Sequence, residues 1–400
     1  MTSLKSQRTM KLLVLAPQPF FQNRGTPIAT LKMLHVLSAS GHEIDLLTYH
    51  EGAPIDIEHC RHMRIPNIPL VRNVPPGFSI RKLICDVVMT ISAFRLCLNN
   101  QYHVIHAVEE SVFMAMLIKW TLGIPYIYDM DSSLPSQMTD KMPFLRPIGS
   151  FLRMFERLAV RHSRGVVAVC QALEDVAASH CDRVPTVRIE DASLLTEDSG
   201  ADEVDDESSV LDIEGRSIMY VGNLAPYQGI DLLLDSFTHV FHRYPDTQLV
   251  IIGGSREDIQ RYRALAVKHE IAERTHFLGQ RPIEQLGRYL EQADILVSPR
   301  TMGNNTPMKV FSYLESGVPV LATKLSMHTQ VLDNEIALLV DATPLDMARG
   351  MCSLLEDKLL GEQVSDAAKD RIQANYAPDH LAMRLTEFYD ELATTLGVTS

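Results

Sequence analysis

Two stretches decide the fold: KLLVLAP at Lys11–Pro17 and GTPIATLKMLHVLSASGHEIDLLTYH at Gly25–His50. The first is a short apolar run closed by proline, the pattern of a buried strand. In the second, Ile28, Leu31, Leu34 and Leu37 recur at helical spacing, Gly41 stops the helix, and Ile44–Tyr49 begins another apolar run. Strand, helix and strand in that order predict a βαβ unit.

The same alternation continues outward. YHVIHAVEE (Tyr102–Glu110), an apolar helix at Val112–Leu122, IPYIYDMD (Ile124–Asp131) and RGVVAVCQALEDVAASH (Arg164–His180) extend a parallel sheet with helices on both faces. Glu197–Ser209, EDSGADEVDDESS, is too acidic and too poor in large apolar side chains to order itself, and reads as a linker. Strand and helix patterns then restart at RSIMYVGN (Arg216–Asn223), GIDLLLDSFTHVFHRY (Gly229–Tyr244) and TQLVIIGG (Thr247–Gly254). They continue through a helix at Pro282–Gln292, DILVSP (Asp294–Pro299) and PVLAT (Pro319–Thr323). The expected organisation is an N-terminal Rossmann-like domain at 1–195, an acidic linker at 196–212 and a second Rossmann-like domain at 213–377. A final amphipathic helix at 378–400 is expected to pack back toward the first domain.

Composition sets the outer bounds. Four hundred residues exceed one ordinary core, and the net charge of −13 makes the chain a poor nucleic-acid binder. The charge is uneven: residues 1–190 hold 20 Lys+Arg against 16 Asp+Glu, and the remainder holds 17 against 34. The mildly basic first half could meet an anionic partner or a membrane surface. No apolar run is long enough to span a bilayer, and Met1–Met10 lacks the apolar core of a signal peptide. Six scattered cysteines without a Cys-x-x-Cys pair read as free thiols of a cytoplasmic protein, with no metal site. Ile80–Leu98, the most apolar helical stretch of the first half, reads as a buried helix, with a membrane-interface helix as the alternative.

The order of these motifs resembles the retaining nucleotide-sugar glycosyltransferases of family four. The match runs through FERLAVRHSRGVVAVCQAL, YVGNLAPYQGIDLLLDSF, LVIIGG, FLGQRPIEQLGRYLEQADILVSPR and SYLESGVPVLAT. It implies an α/β GT-B fold, two Rossmann-like domains with parallel sheets facing across a cleft. The first domain would bind the acceptor and the second the nucleotide-sugar donor. Closure of the cleft would exclude water. The family's Arg/Lys phosphate pair falls here on Asn223 and Gln228, and its glutamate pair on Asn304 and Ser312. The chain therefore reads as a divergent subgroup with its own site chemistry.

NNTPMKVFSYLESGVPV (Asn304–Val320) carries the candidate donor site. Thr306 is expected to N-cap a helix whose first turn holds Pro307, Met308 and Lys309; free amides at such a turn favour an anion. Lys309 and Arg300 are candidate cations for a diphosphate, Lys309 standing in for the family's lysine. Asn304 and Asn305 are candidates for sugar hydroxyls, and Glu315, one turn after Ser312, for a ribose diol. Gly222 and Gly25 end or follow strands where backbone must approach a ligand, and Arg24 stands beside Gly25. In the first domain Asp131 is the candidate base toward an acceptor hydroxyl, with His106 and Glu109 as further candidates. Asp129 and Asp131 form an Asp-x-Asp pair, which a GT-B reading does not assign to a metal.

The expected activity is transfer of a sugar from a UDP- or GDP-sugar to an acceptor hydroxyl with retention, without metal or other cofactor, in polysaccharide or glycolipid biosynthesis. A lipid-linked or saccharide acceptor at the inner membrane face is what the resemblance implies. The alternatives are a non-catalytic nucleotide-sugar-binding scaffold and a GT-B sugar-nucleotide epimerase. A NAD-dependent dehydrogenase is disfavoured, because no Gly-x-Gly-x-x-Gly follows the first strand.

Overall fold

The computed structural model describes residues 8–20, 25–69, 71–75, 79–141, 147–195, 211 and 213–398. The chain divides into two compact units, Met1–Glu190 with Asp379–Ser400, and Asp191–Pro378.

The first unit is built on strands β1 (Lys11–Ala16), β2 (Glu43–Thr48), β3 (Cys60–Arg64), β4 (Val104–Val108), β5 (Tyr126–Met130), β6 (Gly165–Ala168) and β7 (Thr186–Arg188). They form one sheet in the order β3-β2-β1-β4-β5-β6-β7, every pair parallel. Leu12 is in register with Ile44 on one side and Val104 on the other. Its helices are α1 (Gly25–Ala39), α2 (Ile80–Asn99), α3 (Ser111–Leu122), α4 (Leu134–Lys141), α5 (Gly149–His162) and α6 (Gln171–His180). Because side chains alternate along a strand, Leu13 and Leu15 pack beneath α2, α3, α5 and α6, while Leu12 and Val14 face α1 and the chain's last helix.

The second unit carries β8 (Ser217–Val221), β9 (Gln248–Ile252), β10 (Thr275–Gly279), β11 (Ile295–Ser298), β12 (Val320–Thr323) and β13 (Leu338–Val340). Its sheet runs β10-β9-β8-β11-β12-β13, again all parallel. The helices are α7 (Ile230–Arg243), α8 (Arg256–Lys268), α9 (Leu286–Leu290), α10 (Lys309–Ser316), α11 (Ser326–Thr329), α12 (Pro344–Glu356) and α13 (Lys358–Asn375). α7, α8 and α12 cover one face, and α9, α10 and α13 the other. The helix expected at Pro282–Gln292 is shorter, a 3-10 turn at Ile283–Gln285 leading into α9.

The last helix, α14 (Pro378–Thr395), returns to the first unit. Phe388, Tyr389 and Leu392 enter that unit's core, and Arg384 reaches Glu190 at 3.3 Å. The boundary between the units falls at Glu190, five residues before the one read from the sequence. The reason is local: Leu194 N donates to Ser312 Oγ at 2.8 Å and Leu195 packs on the second unit's core. Of the expected linker, only Leu211 is among the described residues.

α2 reverses the expectation of a buried helix. Cys85, Met89, Ala93 and Cys97 face the core, while Ile80, Leu83, Ile84, Val87, Ile91 and Leu98 are exposed. The helix has apolar residues on two faces, and the smaller ones are those that fit the close approach to the sheet.

Candidate functional site

In each sheet the strand order reverses once, between β1 and β4 and between β8 and β11. The crevice at the carboxyl ends of strands at such a reversal is the usual ligand site of open α/β sheets. In the second unit the loops after β8 and β11 and the start of α10 converge there.

Gly222 directly follows β8 with φ +150°, and a Cβ there would lie 3.2 Å from Lys309 Nζ. A side chain there would crowd the ammonium and would have to adopt a backbone conformation that L residues rarely take. The Nζ sits 3.8 Å from the Tyr220 ring centroid and donates to Gln228 Oε1 at 3.1 Å. Among the described residues no carboxylate pairs with it. Desolvation, with Arg300 nearby, holds its pKa well below that of an ordinary lysine.

Arg300, 8 % exposed, follows β11. Its Nε donates to Met302 O at 2.8 Å, its Nη2 to Asn305 Oδ1 at 3.0 Å, and it stacks 5.2 Å from the Tyr227 ring centroid. Gly303, at φ +118°, is where any side chain would strike that guanidinium. Two cations thus stand at one crevice.

The start of α10 differs from the expectation. The helix begins at Lys309 behind Met308, and no side chain caps it. Val310 N donates to Pro307 O at 2.9 Å and Phe311 N to Met308 O at 3.2 Å, so a tight turn on the proline replaces a Thr306 cap. Thr306 is 4 % exposed, and its buried Oγ1 has no hydrogen-bond partner among the described residues. The amides of Met308 and Lys309 likewise find no acceptor among the described residues. Pro307 is buried beside them.

Other candidates take different places. Ser312 is fully buried, and its hydroxyl accepts from Leu194 N, which makes it a tie within the second unit rather than a ligand contact. Asn305 holds Arg300, and Asn304, exposed, accepts from Gln330 Nε2 through its carbonyl at 2.8 Å. Asn223 is exposed; its Oδ1 accepts from Ala225 N at 3.2 Å and its carbonyl from Tyr220 Oη at 2.6 Å. Glu315 is partly buried, with one carboxylate oxygen that is buried and unpartnered among the described residues.

Sequence reasoning missed His328. It is fully buried behind the Arg300 loop, with Nδ1 2.8 Å from Thr323 O and Nε2 2.9 Å from Ser298 Oγ. Nδ1–H therefore donates to the carbonyl and Nε2 accepts from the serine. Thr323 Oγ1 in turn donates to Arg300 O at 2.6 Å, tying the backbone of the cation loop to β12. Desolvation, opposed by the Thr323 carbonyl and aided by Lys309 and Arg300, lowers the His328 pKa to about 4. Nothing in the local pattern around His328 marks it.

In the first unit His106 is a core residue, not an accessible base. It is fully buried, with Nδ1 2.7 Å from Tyr389 Oη and Nε2 2.9 Å from Asp129 Oδ2. Burial of the ring between β5 and α14 uses both nitrogens. Asp131 is half-buried directly after β5, and Glu109 adopts a positive φ of 50° directly after β4. Gly25 is the exposed first residue of α1. Arg24 lies outside the described residues.

Two family models match the chain, one described as Glycosyl transferase 4-like domain over residues 24–190, the other as Glycosyl transferases group 1 over residues 202–371. A phosphatidyl-myo-inositol mannosyltransferase of Mycobacterium tuberculosis is 28 % identical over 189 residues, 45 % of this chain and 48 % of that protein. In that alignment the chain spans about half of the relative's length. The enzyme of the same name from Mycolicibacterium smegmatis is 23 % identical over 91 % of this chain and 89 % of its own. The solved structure of sucrose-phosphate synthase from Thermosynechococcus elongatus gives a TM-score of 0.77 at 18 % identity, covering 96 % of this chain and 100 % of that one. HepE from Anabaena, in complex with UDP-glucose, gives 0.70 at 15 % identity, with 96 % and 100 % covered. These likenesses show the GT-B fold, as do the two all-parallel Rossmann-like sheets. The chain belongs to the group 1 glycosyltransferases.

Proposed function

We propose that the chain moves a sugar from a nucleotide-sugar donor to an acceptor hydroxyl, and that the donor's diphosphate binds at the start of α10. The observation that carries this reading is Lys309. Its desolvated ammonium has no carboxylate partner among the described residues, and the same helix start carries the unpartnered Thr306 hydroxyl and the open amides of Met308 and Lys309. A buried cation without a counter-ion is costly, and an anionic ligand removes that cost. Arg300 adds a second positive charge, fixed by its stack on Tyr227. The crystallised complex of HepE with UDP-glucose supports a UDP-sugar as the donor class. The name of the mycobacterial relatives supports an acceptor that belongs to a glycolipid.

In the proposed reaction the bond between the anomeric carbon and the phosphate oxygen breaks, and its electron pair leaves with the nucleoside diphosphate. The acceptor oxygen bonds the anomeric carbon, and its proton passes to the departing phosphate. Protein cations and amides stabilise the charge that develops on that phosphate, and attack from the same face retains configuration. Glu315, with its unpartnered oxygen, is proposed for the ribose diol, and Asp131 for the acceptor hydroxyl. Gly222 and Gln228 leave space for and position Lys309. The test is turnover of UDP- and GDP-sugars with a panel of acceptors, with the anomeric configuration of the product read by NMR and the rate compared with and without chelator. Donor binding with no transfer to any acceptor would contradict the reading, and so would an inverted product or a rate abolished by chelator.

A further inference from the structure

We propose that Tyr220 is a positioning residue for Lys309: its ring face seats the ammonium where a carboxylate would ordinarily stand, and so leaves the charge to the donor's diphosphate. The inference rests on the donor-site reading and adds a residue to it. It lies wholly within the second unit.

Packing brings the pair together. Lys309 and Tyr313 are four residues apart on α10 and share one face of that helix. Tyr313 Oη accepts from Val221 N at 2.7 Å and donates to Val221 O at 3.2 Å. The helix is thereby registered against the end of β8, where Tyr220 is the residue before Val221. Tyr220 is fully buried in the core that α7, α8 and α12 cover, so its ring has a fixed place. Its hydroxyl donates to Asn223 O at 2.6 Å and ties down the turn that follows β8. Lys309 Nζ then lies 3.8 Å from the ring centroid, well inside the roughly 6 Å over which a ring face attracts a cation. Gly222 keeps the spot open: a Cβ there would come within 3.1 Å of Tyr220 Oη as well as 3.2 Å of Lys309 Nζ.

Electrostatics decide the role. Burial holds the Tyr220 phenol pKa well above its ordinary value, so the group stays neutral and offers a π face rather than a phenolate. The other partner of Nζ, Gln228 Oε1 at 3.1 Å, belongs to a neutral amide. Among the described residues no carboxylate pairs with Nζ. A carboxylate in that seat would cancel the positive charge and repel a phosphate. A ring quadrupole and an amide dipole fix an ammonium without cancelling it, and the ring's pull is greatest where water is excluded. Lys309 is desolvated, so the ring holds it where its pull is strong and the arriving diphosphate becomes the counter-ion.

The test measures UDP binding to the full chain by titration calorimetry at neutral pH. Position 220 carries tyrosine, phenylalanine (Tyr220→Phe), or phenylalanine with one, two or three ring fluorines. Fluorine nearly preserves the shape of the ring and drains negative charge from its face. Tyr220→Phe keeps the face and should bind UDP within about threefold of the wild type, and the dissociation constant should then rise with each fluorine, by about tenfold over the series. In Lys309→Met the same series should be flat, because the ring then has no ammonium to act on. Melting midpoints should agree along the series, which identifies any chain that has lost its fold. A dissociation constant indifferent to fluorine with Lys309 in place, or one that rises equally in Lys309→Met, would overturn the proposal. So would a Tyr220→Phe chain as weak as the fully fluorinated one, because the hydroxyl bond to Asn223 would then be what matters. Failure of the donor-site reading looks different: UDP binds no chain, or binds wild type and Lys309→Met alike whatever stands at position 220, and the proposal falls with it.

Discussion

Lys309 Nζ lies 3.1 Å from Gln228 Oε1, so the helix supplies the cation and the loop supplies only an acceptor. A lysine enclosed in this way gives up its proton readily, and a phosphate anion arriving beside it restores the charged form. UDP binding should therefore take up a proton at pH values between the free and the bound pKa of Lys309. Titration calorimetry at about pH 8, where the nucleotide's own phosphate is ionised, in buffers of different ionisation enthalpy measures this. Uptake should be present in the wild type and absent in Lys309→Met. Affinity should fall as pH rises through that interval and level off above the bound-state pKa.

The same enclosure makes a prediction for the empty protein. Lys309→Met replaces a desolvated amine, with no carboxylate partner among the described residues, by an apolar chain of similar length. It should stabilise the unliganded fold by about 1 kcal/mol, which raises the melting midpoint by about 2–4 °C for a unit of this size. Thr306→Val, which removes a buried hydroxyl without a partner, should leave stability unchanged or raise it. Thermal melts without ligand check both, and a clear loss of stability in either would show that the polar group serves the fold.

His328 predicts a pH dependence. Its folded-state pKa is about 4 against the ordinary 6.5. Between those values the unfolded chain binds a proton that the folded chain does not. Stability from this residue is thus full above about pH 6.5 and is lost progressively as pH falls toward 4, by roughly 3 kcal/mol in all. Denaturant unfolding across that range should show the slope, and His328→Gln should flatten it.

His106 and Tyr389 predict a structural phenotype. Tyr389→Phe leaves a buried imidazole nitrogen without its partner, at a cost of about 1–3 kcal/mol. The damage should appear in the melting of the first unit, while the UDP dissociation constant stays at the wild-type value. A weakened UDP affinity at unchanged stability would instead place His106 in the ligand site.

The sheets were legible in the sequence because strands buried on both faces read as unbroken apolar runs, as in LLVLA of β1 and LVII of β9. The crevice was legible through glycine and helix-start signals around Gly222 and Lys309. The rest depended on partners far away in the chain. His106 meets Tyr389 across 283 residues, and Ser312 meets Leu194 across 118. No local pattern distinguishes a polar residue satisfied from such a distance from one left open to a ligand. α2 misled for a related reason: periodicity marks an apolar face but does not say which of two apolar faces the neighbouring elements cover. The N-cap at Thr306 failed because Pro307 supplies its own turn carbonyl.

The account stands on capture of a diphosphate by Lys309 at the start of α10. Calorimetric titration of UDP and GDP into the wild type and Lys309→Met tests it most directly. A dissociation constant raised about tenfold or more, the loss expected for one charge-assisted contact, is the predicted result. A constant unchanged by the substitution would contradict it.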